Sequence, residues 1–302
     1  MRFDPNLSIL FPDLPLLERP AAAAALGFDM AELWWPFDGP VPAGRDVDDL
    51  AEAFGAAGVG LVLLNLWLGD PSAGQHGLVA LPGERARFRD NVEAAVAIAG
   101  RLGGTVINSH YGNLTADLAR SALDETAVEN LAFAAERAAS VGATLVIEPL
   151  NPVDFPRYGL RRTQDALDLA DRVLAQAGAT VRILFDVYHV QRTEGDLIAR
   201  IEAHAGRFGH VQIADVPGRF RPGTGEIAFE RVLPALERAG YDGFVGLEYR
   251  PSPDPAETFA WLPADRRRSR PGGAPAAPRR PEGSARGPNP GPTSRDNWGS
   301  RC

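Results

Sequence analysis

The sequence contains no lysine, because all 31 residues of the Lys and Arg class are arginine. Schiff-base chemistry, a pyridoxal phosphate anchor and the lysine of a phosphate-binding loop are therefore excluded. Cysteine occurs once, as the final residue Cys302, which rules out an intrachain disulfide, a cysteine-based zinc site and a Cys–His nucleophile, and points to a reducing compartment. No uninterrupted apolar run reaches the roughly 18 residues needed to span a bilayer, and residues 1–10 lack a signal-like apolar stretch. A cytoplasmic protein without membrane contact is expected. No Gly-x-Gly-x-x-Gly follows the first apolar run, so nothing supports a bound dinucleotide. The formal charge of −8 repels phosphate backbones and anionic lipid, which disfavours nucleic-acid and membrane partners and favours a small molecule. Self-association into a homo-oligomer stays open, since no interface is specified.

What is present is alternation. Short aliphatic runs at 2–9, 30–34, 60–66, 105–110, 144–149, 181–187, 209–215 and 244–249 each precede an amphipathic stretch, the pattern of βα units around a parallel sheet. The clearest helices fall at 84–102, 124–141, 163–177 and 229–239. Eight such units in roughly 260 residues predict an α/β fold of the (β/α)8 TIM barrel type, a single domain over 1–263.

From 264 to 302 the composition changes to Arg, Pro, Gly and Ser, with nine arginines against three acids, and a segment of this kind cannot bury a core. A disordered C-terminal tail is expected there, carrying about +6 against about −14 on the body. The same mixture is what a shifted reading frame of a GC-rich gene produces.

In a closed barrel the C-terminal strand ends converge on one mouth, so polar residues there are candidates for function. They are Glu32, Asn65, His110, Glu148, Asp186, Gln212 and Glu248. Glu148 and Glu248 each close an apolar run, where an unpaired carboxylate costs several kcal/mol, and a bound cation is the economical compensation. With Asp186 and the Gln212 amide carbonyl they make an all-oxygen ligand set, which favours Mg2+ or Mn2+ over softer metals. His189, three residues past Asp186, and Arg219, on the turn after strand seven, are assigned to substrate with Asn65 and His110, the arginine suiting a carboxylate.

Several runs together carry a resemblance. They are Asn6-Leu7-Ser8, Trp35-Pro36-Phe37, Leu81-Pro82-Gly83, Ile147-Glu148-Pro149-Leu150-Asn151, Phe185-Asp186-Val187-Tyr188-His189, His210-Val211-Gln212-Ile213-Ala214-Asp215, Pro222-Gly223-Thr224-Gly225-Glu226 and Gly246-Leu247-Glu248-Tyr249. Over 1–263 the chain resembles the hydroxypyruvate isomerase family of xylose isomerase-like barrels. The resemblance implies that Glu148 and Glu248 are the proton-transferring pair, that they ligate the metal with Asp186 and Gln212, and that hydroxypyruvate and tartronate semialdehyde interconvert through an enediol. Three features depart from that family: the Leu66-Trp67-Leu68-Gly69-Asp70-Pro71 run after Asn65, Arg221 in place of a glutamate, and His110. They change the mouth while keeping the ligands, so a related four-carbon 2-oxo acid or a ketose is the alternative substrate. An epimerase, a metal-dependent endonuclease and a non-catalytic barrel are the rival functions, the endonuclease disfavoured by five histidines and an acidic body.

Overall fold

A run such as Gly60-Leu61-Val62-Leu63-Leu64-Asn65 is apolar on both faces, which suits a parallel strand covered by helices outside and barrel contents inside. Eight such strands form one parallel sheet in the computed structural model, which describes residues 1–269 apart from 71, 73 and 253. They are β1 (Arg2–Pro5), β2 (Met30–Leu33), β3 (Gly60–Asn65), β4 (Val106–Ser109), β5 (Thr144–Ile147), β6 (Arg182–Asp186), β7 (Phe208–Ile213) and β8 (Phe244–Leu247). The order β1-β8-β7-β6-β5-β4-β3-β2 leaves a seam between β1 and β2, and a single parallel bridge from Asn6 to Glu32 spans it. The expected TIM barrel is the observed architecture.

Helices follow every strand. In chain order they are α1 (Leu7–Leu10), α2 (Arg19–Ala25), α3 (Gly44–Ala57), α4 (Arg85–Leu102), α5 (Arg120–Ala139), α6 (Thr163–Ala177), α7 (Val187–Thr193), α8 (Leu197–His204), α9 (Phe229–Arg238) and α10 (Pro255–Thr258). Among the described residues no helix is long and apolar enough to cross a membrane.

Strand periodicity explains the site. Met30, Leu63, Val106, Val146, Leu184 and Phe244 belong to one small apolar cluster, distinct from the large core between strands and helices. Two residues further along each strand, on the same inward face, come Glu32, Asn65, Asn108, Glu148, Asp186 and Gly246. One more step of two reaches His110 and Glu248. An apolar plug thus fills the lower barrel and a polar layer sits directly on it, facing the C-terminal mouth.

The strands are shorter than expected, and the reason is local capping. Asn6 ends β1 early because its Oδ1 accepts from the backbone N–H of Ser8 (2.9 Å) and Ile9 (3.3 Å), starting α1 where the sequence suggested continued strand. α5 starts four residues before the expected 124, because Arg120 donates to Asp124 Oδ1 (2.8 Å) and to the Gly159 carbonyl (2.9 Å), and so anchors an extra turn. Past the expected boundary at 263, residues up to Ser269 still bond to the body. Arg267 donates to the carbonyls of Leu26 (3.1 Å) and Phe259 (3.0 Å), and Ser269 Oγ donates to Asp29 Oδ1 (2.7 Å). The rest of the expected tail, 270–302, lies outside the described residues.

Candidate active site

Four carboxylate or amide side chains from β5 to β8 meet at the mouth, all buried. Glu148 immediately follows β5, and its Oε2 accepts from Asn108 Nδ2 at 2.9 Å and lies 3.3 Å from His110 Nε2. Glu248 follows β8, and its Oε1 accepts from the Trp34 indole N–H (2.6 Å) and from Asn6 Nδ2 (3.3 Å). Its Oε2 accepts from Arg219 Nη2. Asp186 caps α7 through Oδ1, which accepts from Tyr188 N at 2.8 Å. Its Oδ2 has no hydrogen-bond partner and stands 3.5 Å from Arg219 Nη2 and 3.6 Å from His189 Nε2. Gln212 donates its amide to Glu32 Oε1 at 2.7 Å, leaving its own Oε1 buried and unpartnered.

Two orphaned oxygens beside two more carboxylates suit a hard divalent cation, since buried acceptors otherwise forfeit their solvation. Oxygens of Glu148 and Asp186 and a ring nitrogen of His189 all lie within 4.8 Å of one another, close enough to share an ion. The donor set fits a metal.

The carboxylates differ in proton affinity. Burial pushes Glu148 up, but the hydrogen bond and charge of His110, the charge of His189 and the Asn108 amide outweigh it, holding Glu148 below the usual carboxylate range. Burial raises Glu248 well above that range, against the opposing charge of Arg219 and with the support of Glu148, Asp186 and Glu32. Burial likewise raises Asp186 to about 7, again against Arg219. Paired carboxyl groups pushed in opposite directions are suited to act as base and acid.

His189 is held neutral, its pKa lowered to about 3 by burial and then by Arg219. Its Nδ1 accepts the backbone N–H of Asn151 at 3.1 Å, so the ring proton resides on Nε2, which faces Asp186 and Glu148. Arg219 adopts a left-handed backbone (φ 60°), stacks its guanidinium 5.3 Å over the Tyr188 ring, and keeps a buried Nε without a partner. Asn65 Oδ1 accepts from Asn108 Nδ2 (3.1 Å), and the residue lines a cavity of about 510 Å³ with Trp34, Trp35, Phe37, Trp67 and Asp70. The atypical run after Asn65 therefore forms a wall of this cavity. A second cavity of about 350 Å³ lies at the opposite end of the barrel, against Met1, Arg2 and Glu237, away from the carboxylates.

All eight residues expected at the site lie at the mouth. Sequence reasoning missed the groups that hold them, namely Asn6, Trp34, Asn108, Asn151 and Asp215. Asp215 accepts from the N–H groups of Val216, Gly223, Thr224, Gly225 and Ile227 at 2.8 to 3.1 Å, gathering the 222–226 loop around one carboxylate. A Cβ on Gly225 would come within 2.0 Å of the Val216 carbonyl oxygen, so only glycine permits that wrap. Its signal was the Pro-Gly-Thr-Gly run; the separation from Asp215 hid the partner.

Comparison with known proteins agrees with this arrangement. The family model described as "Xylose isomerase-like TIM barrel" matches residues 20–264. A "Putative hydroxypyruvate isomerase" of Streptomyces coelicolor is 46% identical over 273 residues, covering 89% of this chain and 98% of that protein. A "2-oxo-tetronate isomerase" of Cupriavidus necator is 38% identical over 261 residues, covering 86% and 97%. A crystal structure titled "AP endonuclease, family 2 from Brucella melitensis" is 37% identical, with a TM-score of 0.79 and coverage of 86% and 97%. Matched in sequence nearly end to end with such relatives and folded as the same barrel, the chain is an isomerase and belongs to the hydroxypyruvate isomerase family of xylose isomerase-like TIM barrels.

Proposed function

We propose that the chain interconverts hydroxypyruvate and tartronate semialdehyde, with Mg2+ or Mn2+ held by Glu148, Asp186, Gln212 Oε1 and Glu248. The observation that carries this is the pairing of two buried glutamates with opposed proton affinities around two unpartnered oxygens. When bound, the cation polarises the substrate carbonyl and stabilises negative charge on the enediolate.

The chain's own residues supply the proton path. Glu148, the readily ionised partner, takes the proton from C3 of hydroxypyruvate as the C2–C3 double bond forms. Glu248, the proton-holding partner, returns a proton at C2 as the C3–oxygen bond becomes the carbonyl. The proton on the C3 hydroxyl passes to the C2 oxygen, and the pair is reset when Glu148 loses its proton to solvent and Glu248 regains one, so nothing is oxidised overall and the reaction needs no redox cofactor. His189 donates Nε2–H to a substrate oxygen, and the free Nε of Arg219 offers a donor to the substrate carboxylate.

The test strips the full chain with chelator, restores Mg2+ or Mn2+, and follows hydroxypyruvate by NMR. Conversion should return with metal and fall at least 100-fold in Glu148→Gln and in Glu248→Gln. Metal-independent turnover rejects the reading.

A second substrate has a specific observation in its favour. The cavity beside Asn65, about 510 Å³ and walled by three tryptophans, has room beyond a three-carbon acid, and the Cupriavidus necator relative is named for 2-oxo-tetronate. A higher kcat/KM for 2-oxo-tetronate than for hydroxypyruvate would decide for it. An endonuclease would need a basic groove, and the acidic composition of the body argues against one.

A further inference from the structure

Glu32 lies outside the proton path, yet it is among the most completely buried charged groups of the barrel, with no exposed surface. It sits on β2 at the seam, opposite Asn6. Its Oε1 accepts from Gln212 Nε2 (2.7 Å) and from Asn6 Nδ2 (2.9 Å), while its Oε2 faces His210 Nε2 at 2.8 Å. Opposite it β8 carries Gly246, where a Cβ would come 2.4 Å from Glu32 Oε2 and 2.9 Å from Gln212 Cγ. The two side chains are packed over that glycine as a pair.

A carboxylate only accepts, so the end of the Gln212 amide that meets it must be the NH2 group. The carbonyl oxygen is then forced to the other side, where it has no protein partner. An amide is nearly symmetric in shape, so packing alone cannot choose between its two ends; only the charge and hydrogen-bonding character of a neighbour can. The reversed amide would turn N–H groups toward the cation.

We infer that Glu32 is a positioning residue, which fixes the Gln212 amide so that its oxygen rather than its nitrogen faces the cation site. The same carboxylate holds Asn6, whose Nδ2 also reaches Glu248 Oε1, so one buried acceptor orients groups beside two ligands. This inference rests on the ligand set proposed above, and its consequence is a partner-dependent metal affinity. Outer groups that orient a ligand typically govern 10- to 100-fold in metal binding.

The experiment is a Mn2+ titration by electron paramagnetic resonance on the full chain, carried through a mutant cycle. Glu32→Leu should weaken Mn2+ binding about 10- to 100-fold. In the Gln212→Glu background, where either end of the side chain presents an oxygen, the same Glu32→Leu change should cause no loss. Equal losses in both backgrounds would mean that Glu32 only supports packing, and would overturn the inference. Gln212→Leu separates the two layers of the argument. If it leaves Mn2+ affinity at the parent value, the ligand set itself is wrong; if it weakens binding while Glu32→Leu does not, only the role of Glu32 is wrong. Should Glu32→Leu fail to fold, Glu32→Asp keeps the charge and withdraws the acceptor by one methylene. It should then show a smaller loss of Mn2+ affinity, and unchanged affinity rejects the inference.

Discussion

Trp34 donates its indole N–H to Glu248 Oε1 at 2.6 Å, joining the residue just after β2 to the residue just after β8. This bond fixes which carboxylate oxygen remains for Arg219 and the reaction, and its donor edges the large cavity. Trp34→Phe keeps an aromatic ring and removes the donor. A hydrogen bond to an uncharged group contributes about 0.5–1.5 kcal/mol, so kcat/KM should fall roughly 2- to 10-fold. Steady-state kinetics beside a thermal melt checks this, and an unchanged kcat/KM would show the bond to be incidental.

Asp4 gives a pH dependence of stability. It is fully buried, neither oxygen has a partner, and burial, with the charge of Glu32, raises its pKa from 3.8 to about 8. Between those values the folded chain holds a proton that the unfolded chain has released, so this group's contribution falls as pH rises from about 4 to about 8 and is constant above. Asp4→Asn removes the ionisable group. The variant should match the parent near pH 4 and be more stable at pH 9, with a linkage ceiling on the order of 5 kcal/mol. Denaturant titrations at the two pH values measure it; a gain confined to low pH would reverse the assigned sign.

Arg219 stands between Glu248 and Asp186, and its charge opposes the rise that burial causes in the proton affinity of each. Removing one partner of a buried ion pair costs about 3–5 kcal/mol, so Arg219→Ala should melt well below the parent when stripped of metal. Added Mn2+ should then raise its melting temperature more than it raises the parent's, since a cation replaces the lost charge. KM for a 2-oxo acid should rise more than 10-fold, in keeping with a lost carboxylate contact. Differential scanning calorimetry with and without Mn2+ compares the two increments, and equal increments would count against the charge argument.

The 222–226 loop depends on one carboxylate. Asp215→Ala leaves five N–H groups without their acceptor, each costing about 1–3 kcal/mol if it stays buried and somewhat less where water reaches it. Gly225→Ala drives a Cβ into the Val216 carbonyl and should disturb the same loop from the other side. Both variants should show faster hydrogen exchange at residues 223–227, the signature of a loosened loop. Exchange at parent rates in both would show that the loop is held by other contacts.

Much of the site was legible because barrel geometry ties function to strand position. Glu148, Asp186 and Glu248 each end an apolar run, Gln212 lies one residue from the end of β7, and the period of two puts them on the face that Val146, Leu184 and Phe244 fill below. Trp34, Asn6 and Asn108 gave no such signal. Each resembles an ordinary strand-flanking residue until the barrel brings it to a carboxylate more than twenty positions away in the chain. The contacts made beyond the boundary expected at 263 were hidden for a similar reason. Arginine-rich composition signals exposure, whereas Arg267 finds three backbone carbonyls on the barrel surface that composition does not reveal.

The sequence by itself determined the alternation of strands and helices, the acidic body without lysine or usable cysteine, and which strand ends carry acids and amides. These follow from local periodicity and composition, which act over a few residues. Only the tertiary structure decided how those groups differ. Glu148 is drawn down by His110 and His189, Glu248 is driven up by burial among other carboxylates, and Gln212 is turned by Glu32 from across the barrel. Proton affinity and amide orientation depend on burial and on neighbours at a few ångströms, and closure of the barrel is what supplies both.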